Sequence, residues 1–243
     1  MLFRRISQHL REQNWFAVAL DFMIVVVGVF LGFQVDSWNE GRKERIEERE
    51  YLARLYDDMS VSIDRTESDI DFMIGHANRA TIVLKSLSDC RIAPEEGQDF
   101  ATGLFQLGKV APAQLVSTAI DELRSTGKLH ILRNVELRSR LQEMQAAHEG
   151  TVGIFSQVEG RLLPHINYVD GVVAFEIGEP ISGSSEMPLE RLQVDFQSLC
   201  QDRRFYNAIA SVRNYVFDLA NQNRGMVGRY QAVREALSAE LEQ

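Results

Sequence analysis

Residues 15–35 read WFAVALDFMIVVVGVFLGFQV, and the reading of this run decides the architecture. A helix needs about 20 mainly apolar residues to cross roughly 30 Å of hydrocarbon, and the run has that length. Trp15 and Trp38 flank it, as amphipathic rings do where hydrocarbon meets water. A cleaved secretory signal is the competing reading. Its apolar core would be shorter and would close on a small-x-small site, whereas this run ends in Phe33-Gln34-Val35-Asp36. Residues 15–35 are therefore read as a retained transmembrane helix, preceded by a tail over residues 1–14.

Three residues inside the span stand out. Gly28 and Gly32 form a G-x-x-x-G pair, the spacing that lets two helix backbones approach closely. Asp21 is an ionisable group in an apolar run, and such groups usually face other protein. At about 100° per residue, Val25, Gly28, Gly32 and Val35 all fall within roughly 40° of Asp21. The polar group and the small residues share a face, which makes it a candidate seam for self-association or for a partner helix. One carboxylate on one helix builds no ion pathway by itself.

Working outward, residues 36–90 hold no proline. Ile46, Leu52, Leu55, Met59, Ile63, Ile70, Ile74, Ala77, Ile82 and Leu84 recur mainly at spacings of three and four, predicting a long juxtamembrane helix that continues from the anchor. The pattern breaks between Ser88 and Gly97, around Pro94. Residues 91–243 form the remainder of the bundle. A short helix is expected over Asp99 to Leu107. Pro112 is placed to open another, with Leu115, Val116, Ala119, Ile120 and Leu123 as its buried face. Gly127 ends it, and Asn134 caps a third helix expected to run to about Leu163, before Pro164. Residues 164–188 are irregular, with a last helical turn or a short strand at Gly171 to Phe175.

The final segment is the most regular. Phe205, Ile209, Val212, Val216, Leu219, Met226, Tyr230, Val233 and Leu237 follow a four-three spacing that Asn223 alone interrupts with a polar group. Such a stripe packs into an intramolecular bundle more often than into a coiled coil between chains. The fold class is thus all-α: an N-terminal transmembrane helix continuing into an antiparallel bundle of four or five helices.

Composition narrows the function. The formal charge is −9, and no basic stripe with interleaved aromatics occurs, so nucleic acid is a poor partner. Cys90 and Cys200 lack C-x-x-C spacing. In an oxidising compartment they form one bridge if the fold brings their Cα atoms within roughly 7 Å. Otherwise they are small apolar core residues, the reading slightly preferred here. His9, His76, His130, His148 and His165 show no metal-ligand spacing, and Ser125-Thr126-Gly127-Lys128 has the wrong order for a phosphate loop. No catalytic residue, cofactor site or metal site is expected, and the chain does not read as an enzyme.

The juxtamembrane segment Gln34-Val35-Asp36-Ser37-Trp38-Asn39-Glu40-Gly41-Arg42-Lys43 resembles a family of uncharacterised bacterial single-pass membrane proteins. The family's anchor carries an early acidic residue and a mid-span glycine, here Asp21 and Gly28, and ends like Q-V-N-x-W-N-E-x-R-K. This chain has Asp21 where glutamate is usual and Asp36 where asparagine is usual. The segment Asp121 to Arg138 looks like the family's second signature, and Phe205-Tyr206-Asn207 matches a weaker one. The resemblance implies a membrane-anchored helical protein and brings no activity, since none is established for the family.

Orientation in a bacterial inner membrane follows from charge. Arg4, Arg5 and Arg11 precede the span, opposed by Glu12, which favours a cytoplasmic N-terminus and a periplasmic domain. Arg42, Lys43, Arg45, Arg49 and Arg54 after the span argue the other way by count, but six acids lie between Asp36 and Glu50. The leading expectation is an interaction or scaffold protein in the bilayer, forming a homo-oligomer or binding another membrane protein. The alternative is a ligand-sensing or regulatory accessory subunit, which requires a pocket in the bundle.

Overall fold

The computed structural model describes residues 15–176 and 186–242, with the side chains of 15–19 and 21 outside that description. The expected tail over residues 1–14 and the loop residues 177–185 also lie outside it. Among the described residues the fold is all-α: six helices and one two-stranded ribbon. The helices are α1 (Trp15–Asp89), α2 (Gly97–Phe105), α3 (Thr118–Ser125), α4 (Val135–Asp170), α5 (Phe196–Gln201) and α6 (Arg203–Leu241). The chain divides into two units, residues 1–51 and residues 52–243, and α1 contributes to both.

In the first unit α1 passes through Gly41 without a break. In the second, its later turns join α4 and α6 around a continuous core. α6 runs antiparallel to α4. Asn134 donates to Glu240, His148 meets Tyr230, and Tyr168 donates to Asp202. It also runs antiparallel to α1, because Met73 and Ala77 share a cluster with Val212 to Ala220, while Val83 to Leu87 share one with Phe205 to Ile209. Every residue of the stripe read along α6 is buried, Asn223 included. Burying each such large apolar side chain contributes roughly 1.5–3 kcal/mol, which is why the periodicity sets the packing face.

α1 and α4 therefore run parallel, which needs a return connection, and the form of that connection corrects the sequence reading. Pro112 does not open a helix. Residues 109–117 are a non-helical strap lying antiparallel along α1, with Gln114 against Thr66 and Val116 against Ser62. An extended residue advances about 3.3 Å against 1.5 Å in a helix, so a short strap retraces several helical turns. Its backbone groups need partners once buried, and side chains of α1 supply them. Ser62 Oγ accepts from Val116 N at 2.9 Å, and Thr66 Oγ1 accepts from Gln114 N at 3.0 Å. Asp58 Oδ2 accepts from Ala119 N at 2.8 Å, capping α3 from another helix. From α6, Asn223 Nδ2 donates to Ala111 O at 3.0 Å. The polar interruption in the α6 stripe is thus a strap anchor.

One more boundary differs from expectation. α4 begins as read, with Asn134 accepting from Leu137 N, but continues through Pro164 to Asp170. A proline in a helix interior costs about 3 kcal/mol. Burial of Leu162 before it and Val169 after it offsets that cost. Gly127 adopts the expected left-handed conformation, φ +70°. The uncertain segment near Gly171 resolves into a turn followed by strand β1 (Ala174–Phe175), which pairs antiparallel with β2 (Leu192–Gln193).

The cysteine preference is also corrected: Cys90 and Cys200 are bonded, with Cα atoms 5.4 Å apart. Cys90 follows the last residue of α1 and adopts φ +44°, the left-handed position where glycine is usual. Arg91 N donates to Ser86 O at 3.0 Å, closing the helix end. The bridge ties this end of α1 to α5.

Candidate functional site

The first unit holds the residues singled out in the sequence. Each large apolar side chain described between Leu20 and Trp38 is exposed, over a range of 45–71%. An 18-residue apolar window of this helix has no buried residue, and α1 is the one helix among the described residues long and apolar enough to cross a membrane. A water-soluble surface rarely carries so large a contiguous apolar area without a covering partner. The residues are apolar around the whole circumference, so no single protein face accounts for them.

Val25 and Val35 lie on the helix surface, 62% and 64% exposed. A Cβ built at Gly28 or Gly32 meets nothing within 4 Å. These glycines are thus not required by packing within the described chain, in contrast to Gly103, where a Cβ would lie 3.0 Å from the Arg79 backbone. Val25, Gly28, Gly32 and Val35 lie along one side of this exposed helix. Asp21 belongs to α1, and its side chain lies outside the described residues. Gln34, Trp38, Asn39, Glu40, Arg42 and Lys43 continue along the same helix, all exposed.

The second unit offers a different environment. Two grooves, of about 360 Å³ and 260 Å³, open onto its surface. One lies between α1 and α6, lined by Glu67, Asp71 and Arg224 among others, and the other between α4 and α6, lined by Arg140, Glu143 and Arg229. Both are open to solvent, unlike the clefts that enclose most of a small ligand. No group of three or more His, Cys, Asp or Glu gathers into a metal-binding set among the described residues.

Several titratable groups in the bundle are shifted by their surroundings. His76 is 6% exposed and neither ring nitrogen has a hydrogen-bond partner. Burial, with Arg79 and Lys109 nearby, lowers its pKa to about 4, so the ring is neutral. Phe72 packs edge-on against it at 4.0 Å. His148 Nδ1 and the Tyr230 hydroxyl share a hydrogen bond at 2.8 Å, and burial lowers the histidine and raises the phenol. Asp202 caps α6 by accepting from Arg204 N and Phe205 N, and it accepts from the Tyr168 hydroxyl at 2.5 Å. That hydroxyl, with the backbone N–H of Phe205, holds the carboxyl below its ordinary range.

Sequence reasoning missed the strap anchors Asp58, Ser62 and Thr66. Their signal is a spacing of four, small polar residues recurring on one face of an otherwise amphipathic helix. No family model matches the chain, and no curated protein or solved structure matches it.

Proposed function

We propose that this chain is a membrane-anchored interaction protein, which associates in the plane of a bacterial inner membrane with itself or with another membrane protein. The observation that carries the reading is the wholly exposed apolar run of α1, on which Gly28 and Gly32 stand clear of any described neighbour. Lipid satisfies such a run on all sides, and small residues define where a helix can pack within lipid. The resemblance of residues 34–43 to uncharacterised single-pass membrane proteins agrees with this.

The N-terminus is placed in the cytoplasm and the bundle in the periplasm. Support comes from the bond between Cys90 and Cys200, since disulfides form and persist in oxidising compartments and are rare in the cytosol. The basic tail agrees with that orientation. The ligand-sensing alternative draws no support from the two solvent-open grooves of the bundle.

Crosslinking of the full chain in native membranes tests the proposal. Gly28→Leu and Gly32→Leu place a branched side chain on the seam and are expected to weaken association. If both variants crosslink like the parent chain, the seam is not the contact.

A further inference from the structure

Arg42, Lys43, Arg45, Arg49 and Arg54 follow the apolar run, and two of them are left on a face of their own. Arg54 is ion-paired with Glu122 at 2.5 Å, and Arg49 is already engaged within the chain. Lys43 stands among acids: at about 100° per residue, Asp36, Glu40, Glu47 and Glu50 fall within roughly 60° of it. Arg42 and Arg45 do not. They lie roughly 60° apart with Trp38 between them, and Asp36, Glu40, Glu44, Glu47 and Glu50 are all roughly 120° or more from Trp38. Glu48 is nearer, at roughly 80°, but it follows Arg45 on the side away from the span and has an interaction of its own. Both arginines are exposed, and neither guanidinium is paired among the described residues.

Ser37, Trp38, Gly41, Arg42 and Arg45 line an open groove of about 400 Å³ on this face. Gly41 keeps it open, since a Cβ there would meet nothing within 4 Å. Arg42 and Arg45 are three residues apart, a spacing at which like charges repel. An anion between them removes that repulsion, and guanidinium forks match the oxygens of a phosphate. The Trp38 indole N–H and the Ser37 hydroxyl are further donors. Depth identifies the source of the phosphate. With the span ending at Val35, Trp38 stands about 4.5 Å and Arg42 about 10 Å beyond the hydrocarbon, where the headgroup layer is roughly 5–7 Å thick. Side chains on a helix tilt toward its N-terminus, which here is the bilayer side, so both arginines lean back over the headgroups.

We propose that this groove binds the phosphate of an anionic phospholipid, held between Arg42 and Arg45 beside Trp38. No acid on the face is placed to hold an ammonium, so a headgroup whose phosphate charge is not cancelled by an amine fits it best. The inference rests on the membrane reading above and goes beyond it by naming a lipid class. It also gives a role to basic residues that follow the span and oppose the orientation by count.

The test uses the full chain with Trp15→Phe, which leaves Trp38 as its one tryptophan. The chain is placed in phosphatidylcholine vesicles containing a minor fraction of phosphatidylglycerol, with one or the other lipid brominated on its acyl chains to quench Trp38. Phosphatidylglycerol is expected to be preferred about tenfold or more at Trp38. Arg42→Gln with Arg45→Gln should bring that preference close to one. Gly41→Leu, which fills the groove without changing charge, should lower it about threefold, while Lys43→Gln should leave it within about twofold. Inorganic phosphate at constant ionic strength should not relieve the quenching; relief would make a soluble phosphate the ligand and overturn the proposal. Equal quenching by the two lipids would leave the face to a protein carboxylate and overturn it too. If Gly41→Leu has no effect, or Lys43→Gln matches the arginine pair, the attraction is diffuse and the site is wrong. If neither lipid quenches Trp38, the run is not in the bilayer and the membrane reading falls with it.

Discussion

Leu31 and Leu55 belong to the same helix, yet the first is 55% exposed and the second fully buried. Around Leu31 the apolar residues encircle the helix. Around Leu55 they form one stripe, with Leu52, Met59 and Ile63, and charged residues occupy the other face. The comparison teaches that hydrophobic content does not decide what covers a residue. Its angular distribution does: a stripe is covered by the rest of the bundle, whereas a full cylinder needs a solvent that is itself apolar.

The largest expected effect breaks the comparison at its first half. Val26→Arg together with Val29→Arg places two cations in the middle of the run, at about 2.5–3.5 kcal/mol each if that run lies in a bilayer. The full chain is expected to leave the carbonate-resistant membrane fraction while its bundle keeps a cooperative helical melt by circular dichroism. Retention in the membrane would show that the run is not a span.

Cutting the bridge perturbs only the second half. Cys200→Ser, or reductant, is expected to lower the unfolding free energy by about 2–5 kcal/mol in urea titration of the detergent-solubilised chain. Membrane extraction should not change. Free thiols at both positions in freshly isolated membranes would count against the periplasmic placement.

A matched pair of truncations sharpens the contrast. Leu55→Ala should cost the bundle about 2–5 kcal/mol, and Leu31→Ala no more than about 0.5 kcal/mol, both read from the same urea midpoint. Equal effects would remove the distinction between the two stretches of α1.

The smallest effect concerns pH. His76 has a folded pKa of about 4, below the ordinary value near 6.5. As pH falls, the unfolded chain takes up this proton first. The neutral form's contribution is therefore complete above about pH 6.5 and is lost progressively towards pH 4. His148 is shifted in the same direction. His76→Phe is expected to remove a part of the acid sensitivity on the order of 2 kcal/mol, seen as a flatter urea midpoint between pH 7 and pH 4.5. An unchanged slope would mean that His76 is not held neutral by the fold.

Much of the fold is legible in local spacing. The α6 stripe, the Asn134 cap, the left-handed Gly127 and the end of α1 near Asp89 each depend on residues within a turn or two of one another. The candidate seam is legible for the same reason, since helical periodicity alone aligns Val25, Gly28, Gly32 and Val35. The strap was not legible. Pro112 followed by apolar residues reads as a helix start until Ser62 and Thr66, about fifty residues earlier, are known to satisfy an extended backbone. Pro164 was misread because the core on both sides of it outweighs a local penalty.

The sequence by itself determined that the chain is helical, that its first helix is apolar all round, and that its last presents one buried face. Those properties are periodic, and periodicity is a local quantity. Only the tertiary structure decided that Cys90 meets Cys200, that Asn223 serves the strap, and that α1 and α4 run parallel. Each of those outcomes depends on groups separated by many tens of residues, whose meeting is set by how the whole core closes and by the need of every buried polar group for a partner.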